Sequence, residues 1–277
     1  MKNVFVIAME VEADAVLRHM QNTLRFEESG RIVYQGELGG EPTAVVIAGV
    51  GKVNAAAGTQ YAIDHFAPER IVNIGVAGGI DASMKIAEVY EVSKCFQCDF
   101  DLSILNHTPK GTVNEYDTPW FKLAPFEASR VARRTMGESL VGHSAYNELP
   151  SAIVATGDFF ANDDHDRGFV HDEMGAWLRE MELGAIAHVC KRAGVKCSAL
   201  KAVSDVNYPG CPPPTEQYAV NLKRAVDALA EKVKSHCMPS DPRGDALVSH
   251  SRYNDSAGAA SAGHCTPSDP RGFEEAK

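Results

Sequence analysis

The sequence contains several short, continuous apolar runs that are rich in β-branched residues. They are Asn3–Ala8, Thr43–Ala48, Ile71–Ile74, Ile153–Ala155 and Cys197–Val203. A strand that is apolar along its whole length is typical of a sheet that is covered on both faces. Because helical patterns separate these runs, the sequence predicts an α/β fold. The expected form is a single-domain three-layer αβα sandwich with a mixed, mostly parallel central sheet.

The predicted domain covers residues 1–235 and ends with the amphipathic segment Glu216–Lys234. From residue 236 to 277 the composition changes to Ser, Asp, Gly, Ala and Pro, which cannot offset the entropy of ordering the chain. We therefore expect a disordered tail. It contains an internal repeat, His236–Gly244 against His264–Gly272. A duplicated extension is favoured over a metal site, because the spacing between the two His-Cys pairs is long.

The acidic composition limits the possible partners. A net charge of −10 and an isoelectric point near 5.5 argue against nucleic acid and anionic membranes, which would repel a chain without a concentrated basic patch. Glu10 and Glu12 interrupt the N-terminal apolar run too early for a signal peptide, and we expect no membrane span. Seven cysteines at irregular spacing favour reduced thiols and a cytoplasmic location.

Two glycine-rich stretches follow predicted strands. Gly49–Gly58 leads into a helix that reaches about Phe66, and Gly75–Gly79 follows the third strand. Glycines let the backbone approach a ligand closely, and a helix N-terminus offers unpaired N–H groups. We read both stretches as turns that line one crevice. Asn54 excludes a dinucleotide fingerprint, and Val53 excludes a P-loop.

Three carboxylates lie near the ends of predicted elements. Glu12 follows the first strand, Glu182 lies at the opening of a helix, and Asp205 follows the last strand. Each acid alone fits helix capping or a solvated surface position. The carboxyl ends of parallel strands share one edge of a sheet, however, so we expect the three side chains to converge in a site.

Six segments carry a family resemblance that runs from residue 1 to about residue 234. They are Ala8–Glu12, Gly49–Val53, Gly75–Gly79, Thr156–Phe160, Glu180–Cys190 and Ala202–Val206. In these segments the chain resembles the 5′-methylthioadenosine/S-adenosylhomocysteine nucleosidases of the purine nucleoside phosphorylase superfamily. The resemblance implies a nucleoside phosphorylase/hydrolase-like fold and hydrolysis of an N-glycosidic bond, which releases adenine and a 5-thioribose product.

The resemblance also implies roles for individual residues. Asp205 matches the acid at the purine N7, and Glu12 matches the base that activates water. Such a pair of carboxyl groups fits the general logic of glycoside hydrolysis. The implied substrate-binding residues are Met9, Val50, Val76, Gly78, Phe160, Ala161, Glu180, Met181, Glu182 and Ser204.

Within that binding group, Glu182 and Met181 are implied to hold the ribose hydroxyls, and Phe160 to stack on adenine. The backbone of Ala161 would read the edge of the base. Met9 and Val50 would lie near the alkylthio end, and Ser204 would orient the acid at N7. The resemblance implies a homodimer, a small-molecule nucleoside substrate, and no metal or cofactor.

Departures from the family pattern leave two alternatives open. A purine nucleoside phosphorylase would hold phosphate with arginines, yet Asn73 stands at one of those positions. A storage or binding protein on the same fold is the other alternative, since Val76 replaces a serine and Lys201 replaces an arginine. Arg179 replaces a small apolar residue, and we expect it at the edge of the purine pocket, where it could change which base is accepted.

Overall fold

The computed structural model describes residues 1–126, 149–160 and 165–238. Two features predicted from the sequence lie outside these residues: Ala161, and the tail from residue 236 onward apart from its first residues.

The described residues form ten strands and five α-helices. The strands are β1 Asn3–Ile7, β2 Met20–Glu28, β3 Arg31–Leu38, β4 Glu41–Ile47, β5 Arg70–Gly79, β6 Val89–Gln97, β7 Phe121–Lys122, β8 Ser151–Thr156, β9 Leu178–Glu180 and β10 Lys196–Val206. The helices are α1 Glu10–Leu17, α2 Lys52–Phe66, α3 Ser103–Asn106, α4 Leu183–Ala193 and α5 Pro214–Cys237. A π-helical segment, Asp166–Glu173, precedes β9. No helix among these is long and apolar enough to cross a membrane.

The sheet is mixed, as predicted, and parallel pairing joins its central strands β4, β1, β5 and β10. The antiparallel strands β3 and β2 extend one edge. On the other side, β10 pairs with β6, β6 with β8, β8 with β9, and β9 returns to β5. Five strands therefore close into a ring, which the sequence pattern did not predict.

Helices cover both faces of the sheet, which confirms the predicted α/β sandwich. Successive residues of β1 point to opposite faces. Val4 and Val6 pack in one core with residues of α2 and α4, whereas Phe5 and Ile7 pack in the other with residues of α1 and α5.

The cysteines Cys95, Cys98, Cys190, Cys197 and Cys237 are free thiols, as expected, but Cys211 is disulfide-bonded.

Three expectations about local structure were wrong. Gly75–Gly79 is not a turn, because it continues β5 and pairs with β10 and β9. Asp205 does not follow the last strand but lies within β10, next to a register shift after Val203. The edge strand Met20–Glu28 was missed, since its mostly exposed residues show no apolar run.

Helix α2 packs so closely on the end of β4 that a glycine is required. A Cβ at Gly58 would lie 2.6 Å from the Cβ of Ala48. Alanine would favour the helix by about 1 kcal/mol, but an extra methyl in a packed core costs about 1–3 kcal/mol. We therefore expect Gly58→Ala to lower the free energy of unfolding in urea. The exposed control Ala57→Gly should lose about 1 kcal/mol through propensity alone. A more stable Gly58→Ala protein would contradict this packing.

Candidate active site

A cavity of about 230 Å³ opens where β1, β5, β9 and β10 approach the first turn of α1. The structure brings eleven of the twelve predicted site residues to its wall; the twelfth, Ala161, is outside the described residues. The eleven are Met9, Glu12, Val50, Val76, Gly78, Phe160, Glu180, Met181, Glu182, Ser204 and Asp205. Lining residues that the sequence did not single out are Ile80, Phe159, Asp166 and Asn207.

Glu12 lies in the first turn of α1 and is almost completely buried. Its Oε2 accepts a hydrogen bond from the N–H of Met9 at 3.2 Å, which is the reciprocal half of a capping box. Its Oε1 accepts from the N–H of Val76 on β5 at 2.9 Å. Burial raises the pKa of Glu12, although Lys201 and the two N–H donors offset part of that rise. The helix start thus aims a basic carboxylate into the cavity.

Asp205 faces the cavity from β10. Burial raises its pKa to about 6, and the hydrogen bond from Ser204 acts in the opposite direction. The Ser204 hydroxyl donates to Asp205 Oδ1 at 2.6 Å. The carboxyl group of Asp205 is therefore neutral more often than an exposed aspartate would be near neutral pH.

Two glycines of β5 make room for these carboxylates. A Cβ at Gly75 would lie 2.7 Å from Glu12 Oε1, and a Cβ at Gly78 would lie 2.8 Å from Asp205 Oδ2. Real side chains do not approach so closely, so any larger residue would displace an acid. The glycine-rich stretch therefore lets other groups approach the backbone closely, as predicted. It does so as part of a strand whose glycines carry no side chains, and not as a turn.

Glu180 is the acid that caps the next helix. Its carboxylate accepts from the backbone N–H groups of Glu182 and Leu183, at 3.1 and 2.9 Å, and from the hydroxyl of Thr156 at 2.5 Å. It also forms a buried ion pair with Lys201 at 2.9 Å. Glu180 lines the cavity, but these contacts already occupy its oxygens.

Glu182 is left to face the cavity. Its Oε1 accepts from the N–H of Gly51 at 2.8 Å, in the glycine-rich loop before α2. Gly51 has a φ of +93°, a conformation that side chains rarely adopt. Burial, together with repulsion by Glu180, raises the pKa of Glu182 to about 7. The loop thus orients Glu182 by one backbone donor and leaves its other oxygen facing the cavity.

Comparison with known proteins shows the family of the chain. Residues 2–235 match the family model described as the phosphorylase superfamily. The chain belongs to the phosphorylase superfamily.

Three relatives illustrate the membership. A 5′-methylthioadenosine/S-adenosylhomocysteine nucleosidase of Geobacillus kaustophilus is 30% identical over 74% of this chain and 85% of its own length. One from Pseudoalteromonas translucida is 29% identical over 83% of this chain and 97% of its own. The nucleosidase of Neisseria meningitidis, crystallised with methylthio-immucillin-A, superposes with a TM-score of 0.70 at 26% identity, over 84% of this chain and 97% of that one.

Asn73 and Lys201 differ from the superfamily pattern described above, and both are buried. The Asn73 amide donates to the carbonyl oxygen of Val6 at 2.9 Å, so it ties β5 to β1. Lys201 lies beside three glutamates. Burial lowers its pKa, but Glu180, Glu182 and Glu12 outweigh that effect and raise the pKa above the ordinary value. The ammonium therefore stays charged among the acids.

Arg179 lines the cavity, as expected, but other residues already engage its guanidinium. Its guanidinium is buried, forms an ion pair with Asp166 of the π-helical segment, and donates to the carbonyl oxygen of Phe159 at 2.8 Å. The same group lies 3.6 Å above the centre of the Phe159 ring. Asp166 was missed because nothing in its local sequence marks it as the partner of a residue thirteen positions away.

The hydrogen bond from the Ser204 hydroxyl lowers the pKa of Asp205 and so offsets part of the rise that burial causes. A hydrogen bond to a charged group contributes about 1.5–3 kcal/mol, so Ser204→Ala is expected to raise the pKa of Asp205 by about one unit or more. The measurement is a ¹³C NMR titration of the carboxyl carbon. Ser198→Ala, on the same strand and bonded to Pro125, is the matched control and should leave it unchanged. An unchanged titration in Ser204→Ala would contradict the assigned bond.

Proposed function

We propose that the chain hydrolyses the N-glycosidic bond of 5′-methylthioadenosine, S-adenosylhomocysteine or both, and releases adenine and the 5-thioribose product. The observation that carries the proposal is the pair Glu12 and Asp205. Both are buried carboxyl groups of raised pKa, and both contact glycine positions of the same strand, β5. The family and the names of its relatives point to the same chemistry.

Bond cleavage places negative charge on the departing purine and positive charge on the ribose. Asp205, whose pKa is raised to about 6, can supply a proton at the purine N7. Glu12 accepts the proton of the attacking water on the opposite face of the sugar. Glu182, oriented by Gly51, holds the ribose hydroxyls and adds negative charge near the developing cation.

Lys201 keeps this arrangement in the correct charge state. Burial raises the pKa of Glu12 and so favours its neutral form, which cannot accept a proton from water. The ammonium of Lys201 lowers the pKa of both Glu12 and Glu182 relative to burial alone. The replacement of an arginine by Lys201 therefore preserves the positive charge, though not the two-pronged geometry.

The cavity wall also carries side chains that suit an aromatic base and an apolar 5′ group. Phe160 lies at the cavity wall, and its ring meets the ring of Tyr218 edge to face at 5.9 Å. Stacking of a base on such a ring is favourable for any purine. Met9 and Val50 supply apolar surface where the resemblance places the alkylthio group.

Water is the better nucleophile than phosphate in this cavity. The lining glutamates Glu12, Glu180 and Glu182 would repel an anion. Arg179, the arginine among the described lining residues, is paired with Asp166. Asn73, at a position where phosphorylases carry an arginine, is bonded to the backbone of β1. Each of these features favours the hydrolase over the phosphorylase.

We also propose a cytoplasmic homodimer. Val53, Ile104 and Leu105 are 80%, 88% and 76% exposed. Apolar side chains exposed to this extent suit an interface between two copies of the chain. Light scattering of the purified protein would give twice the chain mass if the proposal holds.

Substitution of the two acids tests the mechanism. Glu12→Gln and Asp205→Asn are each expected to lower kcat by about two to four orders of magnitude, because each removes one proton transfer. The measurement is adenine release from 5′-methylthioadenosine in phosphate-free buffer, with circular dichroism as the check on folding.

The exposed variant Glu115→Gln provides the matched control and should retain full activity. Full activity in either acid variant would remove the mechanism. Adenine release only after addition of phosphate would establish a phosphorylase instead.

A further inference from the structure

Arg179 and Asp205 face each other across a position without a side chain. In the register of the sheet, Gly78 pairs with Arg179 of β9 on one side and with Asp205 of β10 on the other. Residues paired across neighbouring strands point to the same face of a sheet. The stem of Arg179 and the carboxyl group of Asp205 therefore lie on the same face of the sheet, on either side of Gly78, and all three residues line the cavity.

The guanidinium of Arg179 connects two segments of the cavity wall, at Phe159 and at Asp166. It forms an ion pair with Asp166, at the start of the π-helical segment, and donates to the carbonyl oxygen of Phe159. It also covers the face of the Phe159 ring. One buried side chain thus fixes both the backbone and the ring of Phe159.

Phe160, the next residue, depends on this attachment for its position. Its side chain is 46% exposed, and its ring meets the ring of Tyr218 edge to face at 5.9 Å. A ring that is half exposed is held mainly by the backbone that carries it. Among the described residues, the backbone before Phe160 is restrained by the hydrogen bond from Arg179 to the carbonyl oxygen of Phe159 and by the bond from the N–H of Asp158 to Asp99. The bond from Arg179 is the one at the residue next to Phe160.

We propose that Arg179 is a positioning residue for the purine. By holding Phe159 it fixes the backbone from which the Phe160 ring stacks on the base. The inference rests on the proposed function, in which Phe160 is the stacking ring. Only the planar fork of arginine can donate to Asp166 and to Phe159 while stacking on a ring, so lysine is not an equivalent substitute.

The test is a double-mutant cycle between Arg179 and Phe160, read as the dissociation constant of adenine by calorimetry. Phe160→Ala is expected to weaken adenine about tenfold or more, through loss of stacking. Arg179→Lys is expected to weaken it about tenfold, through loss of a charge-assisted hydrogen bond. The double variant should bind adenine no more weakly than Phe160→Ala alone, because the second change acts through the first.

The same variants should separate binding from chemistry. With Arg179→Lys, KM for 5′-methylthioadenosine should rise while the pH profile of kcat stays as in the parent, since Asp205 is untouched. Arg192→Lys, in an exposed ion pair with Glu115, is the matched control and should change neither quantity. Asp166→Asn supplies a second variant if Arg179→Lys does not fold, and its effect should also vanish in the Phe160→Ala background.

The outcomes are distinguishable. Independent, multiplicative effects of Arg179→Lys and Phe160→Ala would overturn the inference and leave the proposed function standing. Unchanged adenine binding in Arg179→Lys would also overturn the inference and leave the proposed function standing. Unchanged adenine binding in Phe160→Ala would remove the stacking role from the proposed function, and the inference would fail with it.

Discussion

Lys201 is a buried ammonium surrounded by the carboxylates of Glu12, Glu180 and Glu182, and the active site depends on this balance of charge. Several buried acids without a cation would take up protons, since an ionised carboxylate is costly to remove from water. The position of Lys201 follows from the fold. It lies in the middle of β10, opposite Gly75 of β5 and Tyr90 of β6, where the five-strand ring excludes solvent.

Two positions of strand β5 that carry no side chain determine the rest of the geometry of the site. Gly75 and Gly78 occupy positions on β5 where a Cβ would collide with Glu12 and Asp205. A central strand would otherwise carry large apolar residues. The two glycines weaken the local packing of β5 and in exchange bring two acids to one cavity wall. Stability and catalysis are therefore coupled at this strand.

The central strands and the convergence of Glu12, Glu182 and Asp205 could be predicted from the sequence, because apolar runs mark buried strands and parallel strands share an edge. The different contacts of Glu180 and Glu182 could not be predicted from the sequence. Both acids precede the same helix, and only the structure shows that Glu180 caps it while Glu182 reaches the loop at Gly51. The partner of Arg179 could not be predicted either, since Asp166 comes from a π-helical segment without a sequence signature.

We propose that this charge arrangement selects water over phosphate as the nucleophile. The most direct measurement is mass spectrometry of the sugar product when 5′-methylthioadenosine is turned over in the presence of inorganic phosphate. We expect free 5-methylthioribose as the product at every phosphate concentration. A 5-methylthioribose 1-phosphate product whose yield rises with phosphate would contradict it.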